Sequence, residues 1–239
     1  MRSKSPLLLL PGLACDAGLW EHQLRDLGEL ASITVPDLRD FESIEAMARS
    51  VLALAPPRFA LAGLSMGGYV AQAMLRAAPE RIERMALLDT TARADSSEQT
   101  AARRSLIALA EGGAYDDALA LLLERLIHPS RRVDAALCDA ILAMERRVGP
   151  DAFVRQQRAI IGRTNGLSTL AASRMPLLVV YGDGDAIAPP EVHREMAAVR
   201  PDATLVAIAA CGHMSTMERP AAVSAALAAW LGAGDDSSI

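Results

Sequence analysis

The stretch Phe59-Ala60-Leu61-Ala62-Gly63-Leu64-Ser65-Met66-Gly67-Gly68-Tyr69-Val70 constrains this chain more than any other. An apolar run leads into Gly-x-Ser-x-Gly and then into a helical pattern. The spacing predicts a serine on a sharp turn between a strand and a helix, with its hydroxyl pushed out beyond the end of a sheet. So tight a turn strains the serine backbone and leaves no room for side chains at positions 63 and 67. The helix that follows aims N-terminal amides and a positive dipole end at the serine, where they favour negative charge.

The rest of the chain supplies a sheet for that turn. Pro6–Leu10, Ile33–Val35, Arg58–Leu61 and Ile82–Leu88 read as strands, with helices at Ala17–Leu27, Ser43–Leu54 and Met66–Ala77 between them. Asp16 and Ser43 stand at N-cap positions. Short apolar runs alternating with helices imply a parallel sheet with right-handed crossovers. The alternation stops near residue 93. Helical patterns follow at Glu98–Ala110, Tyr115–Ile127, Val133–Val148 and Asp151–Ile161, interrupted by Gly112-Gly113, Pro129-Ser130 and Gly149-Pro150. Strands resume at Leu177–Tyr181 and Ala203–Ile208, with helices over Glu191–Val199 and Pro220–Leu231. The expected fold class is α/β: a core of residues 1–92 and 175–239 with a mostly parallel six-stranded sheet flanked by helices. An all-helical block, residues 93–174, is inserted after the fourth strand. The tail Gly232–Ile239 is expected to be disordered.

A serine hydroxyl is a weak nucleophile at neutral pH. It needs a neutral imidazole to take its proton and a carboxylate to orient that imidazole. Both must come from loops at the carboxyl ends of the strands, on the same sheet edge as Ser65. His213 is the best base, because it follows the sixth strand and Gly212 frees the backbone beside it. Asp185 is the best acid, directly after the fifth strand. Asp183 and Asp89 are its rivals, the latter at the end of the fourth strand. His22 and His193 fall in helices among charged neighbours and read as surface residues; His128, before Pro129, could line a pocket or, as the plainer reading, act as a cation at a helix C-terminus.

Together these residues resemble the α/β-hydrolase superfamily over nearly the whole chain. The matching motifs are Gly63-Leu64-Ser65-Met66-Gly67, Gly182-Asp183-Gly184-Asp185, and Gly212-His213 through Glu218-Arg219-Pro220. The order Ser65, Asp185, His213 is also the superfamily's. The resemblance implies a sheet ordered 2-1-3-4-5-6, a substrate cap at residues 93–174, a nucleophile elbow at Ser65, and an oxyanion hole made by the amides of Leu13 and Met66. The family usually has His-Gly before the first of these; this chain has Pro11-Gly12, and the backbone donor is unaffected. The family's Asp-x-Pro-Gly-x-Gly-x-Ser loop after the second strand is missing here. A serine at the elbow rules out the aspartate chemistry of related dehalogenases and epoxide hydrolases.

The resemblance thus implies a serine esterase acting on a small carboxylic ester, lactone or thioester, similar to small capped esterases, enol-lactonases and carrier methyl esterases. Carbon–carbon bond hydrolysis or a lyase step on the same triad is an alternative, as is a non-catalytic ligand-binding protein of the same fold. Leu13, Trp20, Met66 and Met214 are expected to line the substrate pocket.

A net charge of −5 and only 3% aromatic residues argue against nucleic acid as a partner. No apolar run approaches the ~20 residues that would cross a membrane. Leu7–Leu10 is too short for a leader core, and the three cysteines show no CxxC spacing, so a reducing, cytoplasmic setting is expected. No metal-ligand spacing appears, and no cofactor is implied. Residues 93–174 hold 12 Arg against 10 Asp and Glu, the positive part of an acidic chain. Arg131, Arg132, Arg146, Arg147, Arg155 and Arg158 could meet an acidic acyl carrier, as in the carrier methyl esterases; solvated helix faces are the plainer reading.

Overall fold

The computed structural model describes residues 4–233. Strands β1 (Ser5–Leu10), β2 (Ala31–Thr34), β3 (Phe59–Leu64), β4 (Ile82–Leu88), β5 (Leu177–Gly182) and β6 (Thr204–Ile208) form one sheet ordered β2-β1-β3-β4-β5-β6. Every neighbouring pair is parallel. The expected order holds. The edge strand β2 begins two residues earlier than its hydrophobicity indicates and ends at Thr34, and Pro36, two residues on, has no N–H to extend the ladder.

The period-2 alternation of side chains splits the core into two layers. Leu8, Leu10, Leu61, Leu87 and Val179 point to one face; Leu7, Leu9, Ala62, Leu88 and Val180 point to the other. Helices α2 (Ile44–Leu54) and α3 (Met66–Ala77) cover the first face. On the second face lie α1 (Glu21–Leu27) and the last helix of the chain, over Pro220–Gly232. With both faces covered, the strands need the continuous apolar runs seen in the sequence.

Between β4 and β5 the described chain is helical: α4 (Ser97–Glu111), α5 (Tyr115–Leu126), α6 (Ala135–Val148), α7 (Pro150–Ile161) and α8 (Leu167–Ala172). The Ser96–Gln99 capping box starts α4, and Pro150 at its first turn starts α7. The short α8 has no counterpart among the expected helices. It packs on α3 and on α9 (Pro190–Val199), with Leu170 fully buried in the first core layer. Two further helices close the chain, α10 (Ser215–Glu218) and α11 (Pro220–Gly232). Gly232, where the tail was expected to begin, still belongs to α11; the rest of that expectation, residues 234–239, lies outside the described residues. Among the described residues no helix is long and apolar enough to cross a membrane.

Candidate active site

Ser65 links β3 to α3 with φ 53° and ψ −115°, a left-handed conformation that side chains rarely adopt. The fold holds it there. Its N–H donates to the Leu88 carbonyl, and its carbonyl accepts from the Thr90 hydroxyl at 2.8 Å and the Gly68 N–H at 2.9 Å. The expected reason for the two glycines is borne out. A Cβ at Gly63 would overlap the Gly67 carbonyl, and one at Gly67 would overlap the Leu10 carbonyl.

The loop after β6 brings His213 to the same edge, where its N–H donates to the Leu126 carbonyl at 2.8 Å. Its Nε2 lies 2.8 Å from Ser65 Oγ, and its Nδ1 lies 2.7 Å from Asp185 Oδ2. The other carboxylate oxygen of Asp185 accepts the N–H groups of Ile187 and Ala188 at 2.8 and 2.9 Å. A carboxylate facing Nδ1 requires a proton there, which leaves the Nε2 lone pair turned to the serine. Glu218 steadies the histidine loop by accepting the N–H groups of Gly212 and His128.

Next to Ser65 and His213 lies a cavity of about 110 Å³. Leu13 and Met214 line it from the core, and α4, α5 and α7 contribute Leu106, Leu122 and Ile160. Two of the expected lining residues are elsewhere. Trp20 is fully buried in the second core layer, because the turn Ala17–Trp20 folds inward under Asp16, whose side chain accepts the Gly18 N–H. Met66 packs in the first core layer, as the first residue of a helix whose start faces the sheet. Its amide is a different matter. Among the described residues neither the Leu13 nor the Met66 N–H has an acceptor.

The family model described as "Alpha/beta hydrolase family" matches residues 7–226. The chain belongs to that family. Its structure superposes on an esterase from Thermogutta terrifontis with a TM-score of 0.89 and 31% identity, covering 96% of this chain and 90% of that one. It is 30% identical over 186 residues to the candidate non-heme bromoperoxidase BpoC of Mycobacterium tuberculosis, spanning 74% of this chain and 68% of that protein. It is 28% identical over 233 residues to a pimeloyl-[acyl-carrier protein] methyl ester esterase of Nitrosomonas europaea, spanning 90% of each.

Several residues of this hydrolase differ from the sequence reading. His193 is not a surface residue: it is fully buried and stacked on Tyr181 with ring centroids 4.8 Å apart. Its Nε2 accepts the Thr90 N–H at 3.1 Å, and Thr90 in turn holds the Ser65 carbonyl. Burial pushes the imidazole down to about 4, so it stays neutral. Charged neighbours hid this role, but His193 and Met196 fall three apart on the inward face of α9. Asp89, the rival acid, is fully buried with φ 45° and makes no hydrogen bond to the imidazole, whose Nδ1 goes to Asp185. It accepts the Gly182 N–H at 2.9 Å and the Ser215 hydroxyl, bracing the ends of β4 and β5. Its carboxyl is pushed well up by burial and by the charge of Asp185, partly offset by His213. Gln156 of α7 also went unseen: its side chain accepts the Ala14 N–H at 2.8 Å and holds the turn that presents Leu13.

The arginines of the helical insertion have local partners. Arg146 pairs with Asp116, Arg147 with Asp16, Arg155 with Asp40, and Arg158 with Glu111 and Glu42. Arg131 bonds Asp134 and the Glu218 carbonyl, and Arg132 bonds the Glu124 carbonyl. Among the described residues no group of three or more His, Cys, Asp or Glu is placed to hold a metal ion.

Glu145 of α6 also lines the cavity, with 2% of its surface exposed. Burial lifts its carboxyl from 4.5 to about 8, with only Arg146 pulling the other way. A carboxyl raised in the fold favours folding below its unfolded value, and that contribution is lost as pH rises through the folded value. The wild type should therefore lose stability from pH 4.5 towards 8, and Glu145→Gln, which cannot ionise, should escape that loss. Chemical denaturation at pH 5 and pH 8.5 checks this. The stability of the Gln variant relative to wild type is expected to grow by a few kcal/mol, on the order of 3, across that interval. A difference independent of pH would mean a carboxyl already ionised in the fold.

Proposed function

We propose that this α/β hydrolase is a serine esterase that cleaves a small carboxylic ester through an acyl-enzyme. The observation that carries the reading is the unbroken line from Ser65 Oγ to His213 Nε2 at 2.8 Å and from His213 Nδ1 to Asp185 Oδ2 at 2.7 Å. In the first half-reaction Ser65 Oγ attacks the ester carbonyl while its proton passes to Nε2. The carbonyl oxygen becomes an oxyanion and takes hydrogen bonds from the Leu13 and Met66 amides, each worth roughly 3 kcal/mol in the transition state. Collapse breaks the bond to the alcohol, which leaves with the proton from Nε2. Water then attacks the acyl-enzyme as Nε2 of His213 takes its proton, and collapse releases the acid while that proton returns to Ser65 Oγ. Asp185 orients the imidazole and stabilises its charged form throughout.

The cavity supports the substrate class. Leu13, Leu106, Leu122 and Ile160 make it mainly apolar, suited to an aliphatic or small aromatic acyl group, and α4 to α7 act as the cap over it. The relatives named as an esterase and a methyl ester esterase favour esters in particular. An acidic carrier docking on the cap arginines would compete with the ion pairs those side chains already make. The reading therefore takes a free small ester as the partner.

The test is hydrolysis of p-nitrophenyl esters over a range of acyl lengths, together with fluorophosphonate labelling of Ser65. Turnover with a length optimum supports the reading. A folded protein that neither turns over any ester nor takes the label overturns it.

The reading also fixes a pH profile. Burial disfavours the imidazolium of His213, but the charge and hydrogen bond of Asp185, with Asp89 and Glu218, outweigh it and leave its pKa above 6.5. Only the neutral imidazole can take the serine proton. kcat/KM is therefore expected to rise with pH through a midpoint above 6.5 and to fall away on the acid side. A flat profile from pH 5 to 8 would count against a histidine base.

A further inference from the structure

Glu145 is a charged-type side chain inside an active-site cavity with nothing to bond. It sits in the last turn of α6, on the inward stripe Ile141, Met144, Glu145, Val148. Neither carboxyl oxygen has a hydrogen-bond partner among the described residues, and Oε2 is wholly shielded from solvent. The other charged cap residues at the cavity are engaged: Arg103 with Asp95 and Gln157, Arg125 with the Ala186 carbonyl. A buried carboxyl left unpaired is costly, and a folded chain retains one where something else completes it.

Resting on the serine-esterase reading, we propose that Glu145 is a specificity-determining residue, and that the substrate carries an uncharged oxygen acceptor, such as a ketone or hydroxyl, that takes a hydrogen bond from its carboxyl. Three observations select that chemistry. With its pKa near 8 the group is mostly a neutral acid at pH 7, a hydrogen-bond donor. Arg103 and Arg125 line the same cavity and oppose a cationic substrate group. Arg103 and Arg125 are both engaged elsewhere, and a buried anion without a cation of its own is costly, so an uncharged acceptor is favoured. A plain hydrocarbon would leave the carboxyl as unpaired as it is now. A site built to bond a substrate oxygen discriminates strongly against the analogue that lacks it.

The experiment compares p-nitrophenyl esters of straight acyl chains with oxoacyl chains of equal length, the ketone moved from the third to the sixth carbon. A parallel series of oxoalkyl and alkyl butyrates, followed by acid release, covers the alcohol side. Wild type, Glu145→Gln and Glu145→Leu are each read as the ratio of kcat/KM for oxo over plain substrate, after thermal unfolding shows them folded. At one ketone position in one series the wild type is expected to prefer the oxo ester by about 10- to 100-fold. Gln, which still donates, should keep most of that ratio, and Leu should bring it near one. A merely structural role would lower both rates together and leave the ratio unchanged. Equal wild-type rates at every position, the same preference in Leu, or a preference for an ammonium-bearing ester overturns the inference. Calorimetric binding of the same pairs to Ser65→Ala judges Glu145 even if no ester is turned over, which would sink the esterase reading alone.

Discussion

Ser65→Ala is expected to lower kcat by roughly 10⁵- to 10⁶-fold, to the residual rate that binding and the oxyanion donors sustain without a nucleophile. The loss should come without unfolding, because the Ser65 side chain bonds only His213 Nε2 while its backbone is held by Leu88, Thr90 and Gly68. Ser65→Gly should be equally inactive and more stable. At φ 53° and ψ −115° the serine backbone costs about 1–3 kcal/mol, which glycine avoids. Glycine's greater freedom in the unfolded chain takes back roughly 0.5–1 kcal/mol. A net gain of about 1 kcal/mol corresponds to a rise in Tm of ~3 °C for a chain of this size. Calorimetry beside initial rates tests both halves. Retained turnover in either variant would remove Ser65 from the chemistry. A fall in Tm for Ser65→Gly would mean the elbow is not strained.

Asp185→Asn is expected to cost about 10⁴-fold in kcat with little change in KM. The amide can present N–H to Nδ1, and the imidazole then carries its proton on Nε2. In that tautomer Nε2 donates to Ser65 Oγ and cannot accept its proton. Asp89→Asn is the control. Asp89 braces Gly182 and Ser215 and does not touch the imidazole, so its replacement should act mainly on stability, with less than a ~10-fold effect on kcat. Equal losses of activity at the two positions would shift the orienting role to Asp89. A larger loss at Asp89 would exchange their roles altogether.

The contrast between these two acids shows where the sequence stops being sufficient. Both end parallel strands of the same sheet, and both are buried. Which one meets Nδ1 depends on how far the loop after β6 swings across the sheet edge, and that is set by Glu218 and the Leu126 carbonyl, distant from both acids in the chain. His193 is a similar case. Its charged neighbours are local, but the Thr90 amide and the Tyr181 ring that bury it come from the loop after β4 and from β5.

What the sequence alone determined is whatever local chemistry dictates. Continuous apolar runs require strands buried on both faces. Helical patterns between them require parallel crossovers, while the strand order came from the likeness of the motifs to the α/β-hydrolase superfamily. Gly63 and Gly67 flanking Ser65 require the strained turn, since only glycine fits so close to the Gly67 and Leu10 carbonyls. The tertiary structure alone decided which side chains share a space. His193 turned inward to the Thr90 amide, Gln156 reached back to the turn that presents Leu13, and Glu145 was left unpaired in the cavity that Ser65 and His213 also line. The physical reason is separation along the chain. Periodicity reports which face of its own element a residue occupies, while burial and hydrogen bonding can depend on groups far along the chain, 103 residues for His193 and Thr90 and 142 for Gln156 and Ala14, whose positions no local pattern encodes.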